Sequence, residues 1–462
     1  MKTLLTYLTI LAAASTWAEG YFKGLGDLPG DIFYSSALAI SSDGKVVVGQ
    51  SAAAEGWIAF RWTESGGMQS LGDLPGAQGS SVAFDVSPDG SAVTGWTKIN
   101  KTDREAFVWR EGQGMTGIGD LPGGTFFSSG RGVTDGGTKV IGAASNVMGW
   151  EAFVWSSTGG MRGLGDLSGD NNTTVTAVSP DCSHYVGFGT TNNGTEAYLS
   201  KNLGYKQTLG DLPGGHFSSH ANGLSPDGSI VVGDGVGING TEAFIWTEAT
   251  GMQGLGDLPG GSFGSSAGGV SADGKTIVGY GNGEAGYRAV IWDETRTPHD
   301  LNTFLPDHGI SIDGWVLDGV VAITPDGKYL IGSGTNPDGE YEAWIAFLGG
   351  ESNGFDALWG DCDHHPDDWH ASDWYGWFNA VYYPLMWHAE HGWQTCSGGS
   401  PQSVMFYDHG LQVWTWTSST SYPFIYRFGD QPGWLFYFKG CQPGERWFYD
   451  YTIGNHINEA SI

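Results

Sequence analysis

The chain of 462 residues carries 50 acidic and 20 basic side chains, which gives a formal net charge of −30. A charge of this sign and size repels nucleic acid and anionic lipid surfaces, so it argues against a nucleic-acid partner. Only 15% of the residues are charged while 78 are glycine, a composition that suits short strands joined by tight turns.

Residues 1–18 have the features of a secretory signal peptide. Lys2 precedes an apolar run from Leu4 to Ala14, and the small residues that follow suit cleavage after Ala14 or Ala18. The run is too short to span a bilayer as a helix, and no other long apolar run exists. We therefore expect a secreted protein, soluble or peripherally attached, with no transmembrane segment.

The motif LGDLP recurs along the chain at nearly constant spacing. Copies begin at residues 25, 71, 118, 164, 209 and 255, and a degenerate seventh copy begins at residue 301. The intervals of 45 to 47 residues lie in the range of β-propeller blades. The spacing therefore indicates a repeat architecture before any single strand is assigned.

Each repeat contains the pattern of four short strands. In the second repeat, the predicted strands are residues 80–86, 92–95, 106–109 and 115–121. A tight turn, Ser87 to Gly90, joins the first two strands, with Pro, Asp and Gly in the order such turns prefer. No stretch has a helical periodicity of useful length.

The two ends of the repeat array are complementary. The seventh repeat lacks a fourth strand, whereas residues 21–28 supply a spare one at the start of the array. Pairing the two would close the ring and remove an open sheet edge. We therefore predict that residues 19–350 form an all-β, seven-bladed β-propeller of four-stranded repeats about 46 residues long.

Several motifs in each repeat carry a resemblance to a known family. GLGDLPGG, an S-x-DG turn, VVG and EAFxW recur together, with good copies of the last at Glu151–Trp155 and Glu242–Trp246. Over about residues 24–347 the chain resembles the HAF family of bacterial extracellular repeat proteins. The resemblance implies a bacterial protein outside the cell or at its surface, and it attaches no reaction. The fourth copy departs from the pattern, since Cys182 replaces the turn glycine.

Residues 351–462 differ from the repeats in composition. They include 27 aromatic residues, ten of them Trp, but only three basic residues. The acidic segment 351–372 predicts a linker. In residues 373–462, aromatic strands alternate with glycine-containing turns and predict successive hairpins. This stretch resembles the aromatic hairpin domains that end many secreted bacterial proteins, and we predict a small aromatic-rich β-hairpin domain.

The four cysteines do not form an obvious disulfide framework. Cys182 occupies a position that is glycine in other repeats, so we expect it to stay unpaired. Any disulfide would then join two of Cys362, Cys396 and Cys441, and the sequence leaves that pairing open. We expect a monomer.

Acidic residues recur at equivalent positions and favour a structural role. The set at the LGDLP position is Asp73, Asp120, Asp166, Asp211 and Asp257. A catalytic site does not need copies around a ring, so we interpret these residues as acceptors for turn amides. Calcium coordination is the alternative, and no other cofactor is expected. His388 and His391 lack the spacing of a zinc-protease motif, so we expect a hairpin turn there and leave a metal site open.

Exposed tryptophans are the candidate ligand-binding residues. Binding residues usually lie on loops of a rigid scaffold, and flat indole rings can stack on sugar rings. The candidates are Trp57, Trp96 and Trp150 on one propeller face, and Trp393, Trp414, Trp416 and Trp434 in the tail.

Three functions are consistent with the sequence. The favoured one is a secreted or cell-surface recognition scaffold that binds an extracellular glycan or a surface protein, without catalysis, through loops on one propeller face and in addition through the aromatic tail if that stretch is a binding module. The first alternative is a structural surface protein anchored to the envelope by the tail. The second is an extracellular polysaccharide hydrolase or lyase, for which only scattered candidates such as His216 and His220 are found, and no catalytic residue is assigned.

Overall fold

The computed structural model describes most of residues 20–349 and 363–458. The residues outside the description are 1–19, 78, 168–171, 350–362, 366–368, 373–375, 383–384, 390, 401–402, 410, 419–420, 429–431, 440–445 and 459–462. The predicted signal peptide is therefore outside the described residues. The described chain divides into two compact parts, residues 20–348, here called the repeat region, and residues from 349 onward, here called the tail. Both consist mainly of β-strands, as the sequence predicts.

The strands of the repeat region pair as seven four-stranded antiparallel units. Those of units 1 to 4 are Ser35–Ile40, Val46–Ala53, Gly56–Thr63 and Gly67–Ser70; Ser81–Val86, Ala92–Lys98, Arg104–Arg110 and Gly114–Gly117; Gly123–Val133, Lys139–Asn146, Gly149–Ser156 and Gly160–Gly163; and Thr173–Val178, His184–Thr191, Gly194–Lys201 and Lys206–Thr208. Those of units 5 to 7 are Gly214–Leu224, Ile230–Gly237, Gly240–Thr247 and Gly251–Gly254; Ser266–Val270, Ile277–Gly283, Gly286–Trp292 and Pro298–Asp300; and Tyr21–Gly24, Val316–Ile323, Tyr329–Thr335 and Tyr341–Phe347. Single parallel bridges, Arg104 with Phe127 and Thr195 with Ser218, join units 2 and 3 and units 4 and 5.

The fourth strand of each unit is shorter than the sequence suggested. In unit 2 it ends at Gly117 instead of continuing to residue 121. Gly119 adopts a positive φ of 80°, which glycine accepts at little cost, and the chain leaves the ladder there. The carboxylate of Glu105 accepts the N–H of Gly119 at 3.0 Å, so the motif glycine is held against the third strand.

The S-x-D-G turns are held by their own side chains. In unit 2 the Ser87 hydroxyl donates to Asp89 at 2.6 Å and accepts the N–H of Ala92 at 2.9 Å. The Asp89 carboxylate also accepts the N–H of Ser91 at 2.9 Å. The acid of this turn therefore satisfies a turn amide.

A buried serine connects each of five neighbouring pairs of units. Ser128 of unit 3 donates to the carbonyl of Gly119 at 2.6 Å and accepts the N–H of Ala106 at 2.9 Å, both from unit 2. The serines that make the same pair of bonds in other units are Ser35, Ser81, Ser219 and Ser265. A buried hydroxyl that both donates and accepts a hydrogen bond fixes the spacing of adjacent sheets.

The first and seventh units are also in contact. Ser35 of unit 1 accepts the N–H of Ala343 from unit 7 at 3.0 Å. The N-terminal strand Tyr21–Gly24 pairs antiparallel with Tyr341–Phe347 and supplies the fourth strand that unit 7 otherwise lacks. Leu25 continues the ladder and is buried together with Leu28.

The seventh LGDLP copy forms a short helix instead of a strand-ending turn. Helix Leu301–Asp307 begins after Asp300, whose side chain accepts the N–H of Asn302 as an N-cap. Asn302 replaces the glycine that adopts positive φ in the other copies. The backbone here keeps a negative φ and continues in the helical conformation. Among the described residues, no helix is long and apolar enough to cross a membrane.

The first strands of all seven units line an axial cavity of about 350 Å³. Each first strand contains a β-bulge, where one extra residue stands opposite the second strand. The bulged residues, in order of the units, are Leu38, Phe84, Arg131, Thr176, Asn222, Gly268 and Val321, and all of them line the cavity. Prolines of the tight turns also line the cavity, namely Pro88, Pro180, Pro226 and Pro325.

Asp85 in the wall of this cavity predicts a pH-dependent stability. Burial raises the pKa of Asp85 to about 7, against the opposing hydrogen bonds from the N–H groups of Val133 and Val86. Between about pH 4 and pH 7 the unfolded chain releases a proton that the folded chain keeps, so the free energy of unfolding should fall as pH rises. Asp85→Asn should remove roughly 3 kcal/mol of this fall, measured by urea unfolding across that range. An unchanged pH dependence in the variant would contradict this assignment.

The tail is a single antiparallel meander in which each strand pairs with the next. Its strands are Asp363–His365, Trp369–Ser372, Gly376–Tyr382, Leu385–His388, Gly392–Ser400, Ser403–Asp408, Val413–Ser418, Phe424–Arg427, Gly433–Tyr437, Trp447–Asp450 and Asn455–Asn458. The segment predicted as a linker, 351–372, differs in its second part, because two strands begin at Asp363 and Trp369 and join this sheet. Their backbone groups pair with the next hairpin, which the acidic composition alone did not reveal.

Candidate binding surfaces

The outer face of the tail sheet is an exposed aromatic surface. Along Val413–Ser418, Phe424–Arg427 and Gly433–Tyr437, accessible and buried side chains alternate, as the two-residue period of a strand requires. In the five strands from Ser403 to Asp450, the outward aromatic side chains described are Tyr407, Trp414, Trp416, Phe424, Tyr426, Trp434, Phe436, Trp447 and Tyr449. We call this set, which contains no charged side chain, the aromatic face.

The rings of the aromatic face contact one another across strands. Tyr426 and Trp434 have ring centroids 5.3 Å apart, and Trp416 and Trp434 are 5.9 Å apart, both edge to face. Phe424 and Phe436 make a similar pair at 5.0 Å. Because neighbouring strands lie about 4.8 Å apart, five strands extend this face over about 19 Å. Edge-to-face contacts hold the rings in place, so a ligand meets a preorganised platform.

A shallow depression lies on the same face. It is lined by Ser421, Phe424, Trp434 and Tyr451. Phe424 and Tyr451 are 6.0 Å apart between ring centroids, and the Ser421 hydroxyl accepts the N–H of Ser418 at 2.8 Å. The depression is almost wholly apolar and therefore provides flat apolar contact.

The opposite face of the tail sheet is buried and contains a polar network. Arg446 donates to both oxygens of Asp408, at 2.6 and 2.8 Å, and its side chain is 0% exposed. Gln394 donates to Asp408 at 3.0 Å. His391 lies 3.1 Å from Arg446 through Nδ1 and 3.1 Å from the Tyr422 hydroxyl through Nε2. Burial lowers the pKa of His391 well below its usual value, so the ring is neutral beside the guanidinium.

The predicted hairpin turn between His388 and His391 is present in the structure. The turn joins Leu385–His388 to Gly392–Ser400. His391 donates its N–H to Nδ1 of His388 at 3.1 Å, and both rings are buried. Among the described residues, no group of three or more His, Cys, Asp or Glu side chains is placed to hold a metal ion.

The predicted tail tryptophans occupy different parts of the sheet. Trp414 and Trp434 are exposed to 40% and 39%. Trp416 is half-buried, and its ring contacts that of Trp434. The backbone of Trp393 pairs with Trp387, but the side chain of Trp393 is outside the description. The structure therefore brings three of the four together on one surface.

The predicted tryptophans of the repeat region form two clusters. Trp57 is 41% exposed and packs edge-on against Tyr34 at 4.8 Å. Trp96 and Trp150 are only half-buried, in contrast to the predicted exposure. The reason is a row of contacts between units: the Arg104 guanidinium lies 4.0 Å from Trp96 and 5.0 Å from Phe127, whose ring is 4.8 Å from Trp150.

Three of the five recurring acids at the LGDLP position accept backbone hydrogen bonds, whereas Asp73 accepts the Thr97 hydroxyl at 2.9 Å and a buried oxygen of Asp166 has no partner among the described residues. Asp120 accepts the N–H of Phe127 at 2.7 Å, and Asp211 accepts that of Ser218 at the same distance. Asp257 accepts the N–H of Gly264 at 2.6 Å. These three bonds fix the crossover from one unit to the next and agree with the structural interpretation for Asp120, Asp211 and Asp257.

The two histidines of unit 5, His216 and His220, do not lie beside a pair of carboxylates of the kind that a hydrolase or lyase site needs. His220 lies 3.1 Å from Asp234, which also accepts hydrogen bonds from Asn222 and Ser266. Burial alone would raise the pKa of Asp234, but these hydrogen bonds lower it. His216 is exposed. The network ties units 5 and 6 together, which is a structural role.

Comparisons with known proteins add a likeness in fold. No family model and no curated protein matches the sequence. The structure is similar to TolB from Acinetobacter baumannii, at 15% identity over 57% of this chain and 62% of that chain, less than two thirds of its length, with a TM-score of 0.38. It is also similar to oligogalacturonate lyase from Vibrio parahaemolyticus, at 12% identity, 71% and 97% coverage and a TM-score of 0.45. It is also similar to the β-propeller domain of the trilobed protease from Pyrococcus furiosus, at 10% identity over 68% of this chain and 94% of that chain, with a TM-score of 0.42. These neighbours are β-propeller-like in fold, and the likeness extends to no activity.

Proposed function

We propose that the protein is an extracellular recognition scaffold that binds a glycan without catalysis, and that the aromatic face of the tail is its main binding surface. The observation that carries the proposal is this contiguous, exposed and uncharged set of rings. Exposed apolar patches of this extent are unusual unless they bind something.

A glycan fits the aromatic face better than a charged ligand does. The flat faces of Trp and Tyr can cover the apolar faces of sugar rings, while phenol and indole groups at their edges donate hydrogen bonds. The set includes no charged side chain that would select an ionic partner. An extended face also suits a polymer more than a small compact ligand.

The proposal includes a closed seven-bladed β-propeller in residues 20–348. Its support is the seven four-stranded units, the pairing of Tyr21–Gly24 with the last unit and the axial position of all seven first strands. The HAF-like motifs and the signal-peptide-like apolar run from Leu4 to Ala14 support an extracellular location. In this arrangement the propeller is a rigid body.

The proposed function can be tested by pull-down of the full chain on insoluble polysaccharides. Trp414→Ala combined with Trp416→Ala should weaken retention at least tenfold, because both rings leave the aromatic face. Trp57→Ala is the matched control, since Trp57 is exposed to the same degree as Trp414 (41% and 40%) but lies in the repeat region. Circular dichroism should show that both variants remain folded.

Three outcomes would decide against parts of the proposal. Loss of retention only in Trp57→Ala would move binding to the propeller loops. Retention by neither the wild type nor the variants on any polysaccharide would remove the glycan assignment. Capture of a purified envelope protein, with no glycan bound, would replace the glycan by a protein partner.

A further inference from the structure

The bulged residues that line the axial cavity differ in charge. Six of the seven are uncharged, and Arg131 of unit 3 is the single cation. The rest of the lining is mixed, since Ile40, Val133 and Ile323 are apolar whereas Ser42 and Asp85 are polar. The cavity therefore combines apolar wall residues with one fixed positive charge, and burial raises the pKa of its carboxyl group, Asp85, to about 7.

Arg131 has no ionic partner among the described residues of the repeat region. Its guanidinium lies 3.7 Å from the centre of the Phe84 ring, the bulged residue of the preceding unit. No hydrogen bond or ion pair of Arg131 with another described residue is present. Burial lowers its pKa to about 10, which still leaves it charged at neutral pH. Stacking on an aromatic ring leaves the N–H edge of a guanidinium free to donate.

Three other polar side chains of the lining, those of Asn222, Thr176 and Asp85, are engaged elsewhere. Asn222 donates to Asp234 at 2.9 Å, and Thr176 donates to the carbonyl of Ala221. Asp85 accepts the N–H of Val133 at 2.9 Å. The free hydrogen-bonding capacity in the cavity thus belongs mainly to Arg131.

We propose that the axial cavity binds a small monocarboxylate with an apolar body, held by the guanidinium of Arg131. A carboxylate can accept two parallel N–H bonds from one guanidinium, and a single negative charge matches the single cation. The apolar body would contact the aliphatic wall residues. A phosphate dianion would bring a second negative charge into a cavity that already contains the Asp85 carboxyl group and whose described lining supplies no second cation.

This site is independent of the glycan surface. It lies in the repeat region, among the first strands, whereas the aromatic face belongs to the tail. Its ligand is small enough for a cavity of about 350 Å³, which would exclude a polysaccharide.

The test is a ligand-detected NMR titration of the full chain with benzoate, and separately with acetate and phosphate. Wild type should bind benzoate at one saturable site, acetate more weakly because it lacks the apolar body, and phosphate at least tenfold more weakly than benzoate. Arg131→Met, which keeps the side-chain volume but removes the charge, should lower benzoate affinity at least tenfold. Arg162→Gln is the control, because Arg162 is exposed on the outermost strand of the same unit, and should bind benzoate as wild type does.

A second variant, Val321→Phe, tests the same site if Arg131→Met does not fold. Val321→Phe adds volume from unit 7 to the cavity without changing Arg131, and should also weaken benzoate at least tenfold. Equal benzoate affinity in wild type, Arg131→Met and Val321→Phe would overturn the proposal, as would the absence of saturable benzoate binding to wild type. Tighter binding of phosphate than benzoate would overturn the carboxylate assignment.

Discussion

A chain that begins at Pro29 should lose about 5 kcal/mol of unfolding free energy relative to one that begins at Gly20. The deletion removes the strand Tyr21–Gly24 and its ladder with Tyr341–Phe347. It also removes Leu25 and Leu28, which are buried in one cluster with side chains of units 1 and 7. Each leucine accounts for about 1.5–3 kcal/mol of burial, and the lost ladder bonds add about 1 kcal/mol each at most. Urea unfolding followed by circular dichroism would measure the difference.

A point substitution provides the matched control for this deletion. Leu25 and Leu255 occupy the same repeat position and are buried to the same degree, at 5% and 4% exposure. If the N-terminal strand belongs to the ring, Leu25→Ala and Leu255→Ala should each cost about 2–5 kcal/mol. A large cost for Leu255→Ala with none for Leu25→Ala would show that the strand does not close the ring.

Replacing Asp408 by alanine should destabilise the tail sheet by about 3–5 kcal/mol. The substitution leaves the Arg446 guanidinium in the buried face without the carboxylate that accepts two of its N–H groups. It also removes the acceptor for Gln394 and for the N–H of Leu411. Hydrogen exchange of the amides in Val413–Ser418 and Gly433–Tyr437 would report the loss within the full chain.

Two further variants separate the ion pair from general damage. Asp408→Leu combined with Arg446→Met should recover much of the stability, since apolar residues can replace a buried pair without leaving a charge. Lys201→Ala, which breaks the exposed pair of Lys201 with Glu248 at 2.8 Å, should cost no more than about 1 kcal/mol. An Asp408→Ala effect as small as that of Lys201→Ala would mean that the pair contributes little.

The strand pattern of the repeat region was largely predictable because each repeat combines local signals that agree. A run such as Arg104–Arg110 contains alternating aromatic and β-branched residues, and the flanking turns supply glycine at positive φ. The helix Leu301–Asp307 was missed because the repeat pattern suggested another LGDLP turn, and only Asn302 in place of glycine indicated the change.

The β-bulges and the axial cation were not predictable from alternation. A bulge is a property of two paired strands, so the sequence of one strand does not show which residue is extra. Arg131 lies in a stretch that otherwise has the residues of a first strand. Its significance appears only when the seven first strands are placed around one cavity.

The tail site was predictable in part. The two-residue period correctly placed Trp414 and Trp416 on one face, since a single strand determines that relation. The addition of Trp434 and Tyr426 depends on the register between Val413–Ser418, Phe424–Arg427 and Gly433–Tyr437, which the sequence does not specify. The half-burial of Trp96 likewise depends on Arg104 from the paired third strand and on Phe127 from the next unit.

The most direct test of the proposed function is hydroxyl-radical footprinting of the full chain with and without a bound polysaccharide, read by mass spectrometry. Binding at the aromatic face should protect Trp414, Trp434 and Trp447, which are exposed in the free protein, and should leave Trp57 as reactive as before. Protection of Trp57 with unchanged oxidation of the three tail tryptophans would contradict the account, because the glycan would then be bound by the repeat region.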